Sequence, residues 1–138
     1  MLLLFSAKVF GQLKYTLKAE PFGFYSENNK IELLHYYNLQ FSLKELFENK
    51  YFYEIQTGII LNGFTPHLDF FIGGKFSIFY LKLGTQLSIN ISGGGSSGAS
   101  VDSGFLPFIG AGIYFYKNFF FEINYLLAYS TVGIGIEF

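Results

Sequence analysis

Hydrophobic and polar residues alternate along almost the whole chain. A period of two marks extended strands whose two faces meet different surroundings. In QLKYTLKAEP, Leu13, Tyr15, Leu17 and Ala19 share one face, and Gln12, Lys14, Thr16, Lys18 and Glu20 the other. YNLQFSLK sets Tyr37, Leu39, Phe41 and Leu43 against Asn38, Gln40, Ser42 and Lys44. YEIQTGIILN sets Tyr53, Ile55, Thr57, Ile59 and Leu61 against Glu54, Gln56, Gly58, Ile60 and Asn62. In LKLGTQLSINIS the apolar set runs Leu81, Leu83, Thr85, Leu87, Ile89, Ile91, and in FFFEINYLLAY it runs Phe121, Ile123, Tyr125, Leu127. The last eight residues, TVGIGIEF, oppose Val132, Ile134, Ile136 and Phe138 to Thr131, Gly133, Gly135 and Glu137. Helical spacing fits none of these segments as well.

These segments predict eight strands, near 12–25, 31–46, 51–63, 67–76, 79–92, 105–116, 119–129 and 131–138. FENK, the region around FSI, and YKN are tight connections, whereas SENNK, GFTPH and SGGGSSGASVDSG are longer and fall between the other pairs; the connection at 129–131 is short and breaks the alternation. A weak repeat follows the three tight turns: YFYEIQ, FYLKLG and FFFEIN each open on aromatic residues and carry a charge at the fourth position. It places Tyr53, Leu81 and Phe121 on one side of the wall and Glu54, Lys82 and Glu122 on the other at one level. Aromatic rings clustered at strand starts suit a membrane–water interface.

Periodicity does not say which face is the inside; composition does. Of the 138 residues 51% are hydrophobic and 22% aromatic, and 14% are charged, against about 25% charged in ordinary soluble domains. Lys, Glu, Gln, Asn or Gly interrupts every apolar run before the roughly 18 to 20 residues that a spanning helix needs. A soluble lipocalin-like carrier would point its apolar set at a ligand and cover its outer face with charge. Here the polar face is mostly Gly, Ser, Asn, Gln and Thr, and the apolar face is built from Leu, Ile, Phe and Tyr. The expected fold is therefore all-β: a closed antiparallel up-and-down transmembrane β-barrel of eight strands, with a polar interior and a lipid-facing exterior.

The ending TVGIGIEF resembles the C-terminal β-signal of bacterial outer-membrane barrels, with a polar residue, a Gly two later, and apolar residues at the antepenultimate and final positions. Thr131, Gly133, Ile136 and Phe138 match it. From about Gln12 to Phe138 the chain is similar in architecture to small eight-stranded barrels of the OmpA/OmpX type. The resemblance implies an outer membrane of a Gram-negative-type bacterium, a lipid bilayer as partner, and barrel-assembly machinery that reads the last strand. It also implies closure of that strand on the first, which removes the exposed sheet edge.

MLLLFSAKVFGQ resembles the hydrophobic and cleavage regions of a secretory signal peptide without its basic start, so residues 1–11 read as a signal remnant and 12–138 as one barrel domain. A net charge of −1 argues against nucleic acid, and the absence of Cys removes disulfides and thiolate metal sites. Neither metal nor cofactor is expected, and the barrel reads as a monomer.

Eight strands enclose a lumen just wide enough for side chains to fill it. Lys14, Lys44, Lys75 and Lys82 project inward near the tight-turn end with Glu54, Glu122 and Glu137. Near balance is what burial of charge requires, so these groups are expected to pair and plug the lumen, with Lys14 and Glu137 neighbours across the closing seam. His67 beside Asp69 is the one local pair that could serve catalysis; it reads instead as a solvated residue next to a turn, and the chain as no enzyme. His35 falls on the outward phase with Tyr36 and Tyr37. GGGSSGAS lacks the Lys-Ser/Thr ending of a phosphate-binding loop and reads as a flexible connection. A structural or surface-interaction barrel is the expected function, with a small-solute pore and a soluble carrier as alternatives.

Overall fold

In the computed structural model, which describes residues 12–28, 30–35, 37–93, 99–127 and 129–138, each alternating segment is a strand, and the described residues contain no helix. The strands are β1 (Gln12–Glu27), β2 (Lys30–Leu34), β3 (Asn38–Phe47), β4 (Tyr51–Ile60), β5 (Thr65–Phe76), β6 (Phe79–Gly93), β7 (Ala99–Tyr116), β8 (Phe119–Leu126) and β9 (Tyr129–Glu137). From β3 to β9 each pairs antiparallel with the next, and β1 pairs with both β3 and β9. The result is a closed wall of eight strands, with β2 as an added piece above it. Tight turns close one rim; at the first of these, Glu48 and Asn49 take φ of 51° and 56°, the left-handed conformations that match a two-residue turn to the twist of its strands.

The closing seam runs from Thr16↔Glu137 to Phe24↔Ser130, and Tyr15 and Phe138 exchange backbone hydrogen bonds of 3.2 and 2.8 Å beyond it. A bulge interrupts the seam between Ala19 and Phe22. It contains Pro21, which has no N–H to give the ladder and is tolerated in a strand at such a place.

Two expected boundaries are corrected. The strand expected over 31–46 is two strands, broken around residues 35–37. Asn62, from the connection after β4, is the cause: its amide donates to the His35 carbonyl, and its Oδ1 accepts the Tyr37 N–H at 3.4 Å. These side-chain bonds stand in for a ladder partner and turn the backbone out of line. β2 then pairs with the far end of β1, Gly23↔Leu34 to Glu27↔Lys30. Of residues 92–104, expected as a flexible connection, the described ones, 92, 93 and 99–104, are ladder: β6 and β7 remain paired to Ser92↔Ser100 and Gly93↔Ala99, while 94–98 lie outside the described residues. The expected signal remnant, residues 1–11, lies outside the described residues, as does Tyr36.

The facing is inverted relative to a soluble protein. Leu81, Leu83 and Ile123 on the outer wall keep 56%, 54% and 51% of their surface exposed, whereas Asp69 and Asn124 inside keep none. The soluble-carrier alternative required the reverse and is set aside.

Small inward positions are filled from across the ladder. Gly58, Gly73, Gly84, Gly112 and Gly135 lie directly opposite His67, Phe52, Phe71, Tyr80 and Phe120, respectively. Each ring covers the bare glycine backbone facing it, and this lets bulky side chains fit a strongly curved wall. A Cβ on Gly112 would stand 2.1 Å from Tyr80 Cζ. Gly112→Ala should therefore cost about 1–3 kcal/mol, the usual range for overpacking, read as a lower denaturation midpoint of the detergent-refolded chain.

Candidate functional site

The lumen is the candidate site, and the strand register stacks its inward residues in layers. Nearest the tight turns, Glu137 on β9 meets Lys14 of β1 at 2.8 Å and Lys44 of β3 at 3.2 Å, and it accepts the Tyr114 hydroxyl at 2.6 Å. Lys44 Nζ also stands 4.9, 5.1 and 5.8 Å from the ring centres of Phe52, Tyr80 and Phe120. Those three rings are the second residues of the three repeats. Their neighbours on either side face outward, and with Leu46 the rings form one buried cluster. The ammonium gains ring attraction in place of some of its lost hydration.

In the next layer Glu122 of β8 is the hub. One carboxylate oxygen pairs with Lys18, and the other accepts Lys82 at 2.9 Å and the Tyr80 hydroxyl at 2.6 Å. Glu54 lies 3.6 Å from Lys82 and accepts the Ser42 hydroxyl, which also pairs with Thr16. The expected level of Glu54, Lys82 and Glu122 is thus one connected group. Phe71, Phe108 and Leu126 pack as a second apolar cluster, and Lys82 Nζ sits 4.3 Å from the Phe71 ring centre.

Farther from the tight turns the ionisable side chains that the described inward residues bring together are Glu20, Asp69 and His67. Glu20 accepts Asn124 at 2.7 Å, Asn38 at 3.1 Å and Gln40 at 3.2 Å, and pairs with Lys18 at 3.1 Å. His67 is corrected from a solvated turn residue to a buried one. Its Nδ1 lies 2.9 Å from Asp69 Oδ1, its Nε2 lies 2.9 Å from Asn38 Oδ1, and Gln56 donates to Asp69 at 2.6 Å. Both ring nitrogens are engaged by the wall, which leaves neither to meet a substrate. His35 is exposed and stacks on Tyr37 with ring centres 6.4 Å apart.

Of the seven charged residues expected in the lumen, Lys14, Lys44, Glu54, Lys82, Glu122 and Glu137 form ion pairs there. Lys75 departs from the expectation: its ammonium lies 4.4 Å from the Tyr114 ring centre, and it forms no ion pair among the described residues. Lys18 and Glu20 belong to the network and were not assigned to it, although both stand on the polar face of the first strand. The inward rings were missed because they interrupt the polar phase. Of the terminal motif, Thr131 and Gly133 face the lumen, Ile136 is half-buried, and Phe138 is exposed on the outer wall.

Glu137→Ala should leave Lys44 buried without its carboxylate. A loss of about 1–3 kcal/mol is expected, moderated because Lys14 reaches water at the rim; an unchanged denaturation midpoint in detergent would count against this seam.

No family model matches the chain, and no curated protein matches it. Among solved structures it is similar to a chain described as "De novo design of transmembrane beta-barrels", with a TM-score of 0.60 and 13% identity over 93% of this chain and 94% of that one. At that identity the likeness is one of fold: a closed eight-stranded antiparallel barrel whose solved neighbour is a designed transmembrane one.

Proposed function

We propose that the chain is a structural barrel of a bacterial outer membrane, which anchors its far-rim connections at the surface and seals its own lumen. The inverted facing carries this reading. An outer wall of exposed Leu, Ile, Phe and Tyr around a buried polar interior is stable only where the surroundings are apolar. The similar designed barrel supports a membrane location, and the terminal motif supports the outer membrane and assembly through the last strand, with Thr131, Gly133, Ile136 and Phe138 as the residues read. The lipid bilayer is the principal partner, and a monomer suffices because the eight-stranded wall closes on itself through β1 and β9 and shares no edge of its own. A net charge of −1 argues against nucleic acid as a partner. A structural role needs neither cofactor nor catalysis, and the full engagement of His67 fits that.

A sealed lumen separates this role from that of a solute pore. Lys18, Lys82 and Glu122 keep 5%, 3% and 1% of their surface exposed, and two apolar clusters rich in aromatic rings are buried in the same lumen. The refolded chain added to planar lipid bilayers should give no discrete conductance steps. Sustained unitary steps would instead assign it a transport role.

A further inference from the structure

The lumen mouth at the tight-turn rim carries more positive charge than its own carboxylate offsets. Lys14, Lys44 and Lys75 gather around Glu137 and Tyr114: Lys14 at 2.8 Å and Lys44 at 3.2 Å from the carboxylate, and Lys75 at 4.4 Å from the centre of the ring whose hydroxyl donates to it. Among the described residues Lys75 is the lumen lysine without a carboxylate in ion-pair range, since Lys14, Lys18, Lys44 and Lys82 each have one. The charges that bear on Lys75 are Glu137, Lys14 and Lys44, so its surroundings hold one negative and two other positive groups. Glu45, next to Lys44, falls on the opposite phase of β3. The mouth is open to water: the Lys14 side chain is 22% exposed and Lys75 is half-buried.

We propose that this mouth binds a phosphate dianion, either dissolved inorganic phosphate or the monoester headgroup of a phosphatidic acid. Glu54 stands opposite Lys44 across the ladder and shares in offsetting that buried ammonium, and Glu137 serves Lys14, so among the described residues the charge left without a carboxylate at the mouth is that of Lys75, which a phosphate oxygen neutralises. Lys75 offers three N–H donors and no acceptor, and the ring beneath it satisfies none of them with an oxygen. Phosphate oxygens accept such charge-assisted bonds strongly. The dense packing of Phe52, Tyr80 and Phe120 below Lys44 closes the floor, so the anion stays at the mouth and does not enter the sealed lumen.

The test follows the side-chain Cε resonances of lysine-labelled full chain in a phosphate-free detergent. Inorganic phosphate should shift the Lys75 and Lys14 signals saturably, and chloride at matched ionic strength should not. Lys75→Gln removes no ion pair, so the variant should remain folded, as a heat-modifiable gel band would show, while its phosphate affinity falls about tenfold or more, the worth of one charge-assisted hydrogen bond. Saturation only with vesicles containing phosphatidic acid, and not with inorganic phosphate, would assign the site to the lipid headgroup. The proposal is overturned if chloride reproduces the shifts, if folded Lys75→Gln binds as tightly as the parent, or if neither phosphate source gives a saturable shift.

Discussion

Glu122→Gln is expected to lower the stability of the refolded barrel by about 3–5 kcal/mol, the usual cost of breaking a buried ion pair by removing one partner. Glutamine keeps the shape and removes the charge. Lys18 and Lys82 would then remain buried with Glu20 at 3.1 Å and Glu54 at 3.6 Å as their remaining carboxylates, and the Tyr80 hydroxyl would lose its charged acceptor. Glu122 is 1% exposed, so water cannot readily replace what is lost. A denaturant titration in detergent, followed by the proportion of folded and unfolded gel bands, reads the change. A midpoint within experimental error of the parent would show that the two ammonium groups do not depend on this hub, and the interior network would lose its claim to stabilise the fold.

Leu83→Arg addresses the opposite face. Leu83 is 54% exposed, between Ile72 on β5 and Ile109 on β7. Were that exposure to water, an arginine would alter stability by no more than about 0.5 kcal/mol, as surface substitutions usually do. Facing hydrocarbon near mid-wall, it should cost about 2–4 kcal/mol. Refolding parent and variant into lipid vesicles and comparing their denaturation midpoints separates the two. The pair of substitutions is complementary: Glu122→Gln probes a charge that the interior requires, and Leu83→Arg probes a charge that the exterior rejects.

Much of this architecture is written in local pattern. Alternation of the kind seen in Leu81 to Gln86 assigns strand and face without knowledge of the partner strand, because side-chain direction in a strand depends on backbone alone. The common phase of Glu54, Lys82 and Glu122 was legible for the same reason, since each follows a tight turn by the same number of residues. What depends on the partner strand was not. Phe52, Tyr80 and Phe120 sit inside because Gly73, Gly112 and Gly135 stand opposite them, and only the register reveals that pairing. The break after β2 depends on Asn62, which arrives from a different connection. The extension of β6 and β7, Gly93 and Ala99–Gly104, is mostly Ser, Gly and Ala, whose letters resemble a loop because their strand is specified by pairing and not by hydrophobic alternation. Lys18 and Glu20 joined the network by reaching across the lumen to Glu122 and Asn124, contacts between residues more than a hundred positions apart.

An inverted barrel needs an apolar surround, so refolding the full chain with and without detergent micelles is the decisive experiment. Circular dichroism and the gel mobility of unboiled and boiled samples supply the readout. The expected result is a β-rich, heat-modifiable band that forms only when detergent is present. A monodisperse β-rich protein in plain buffer would contradict it.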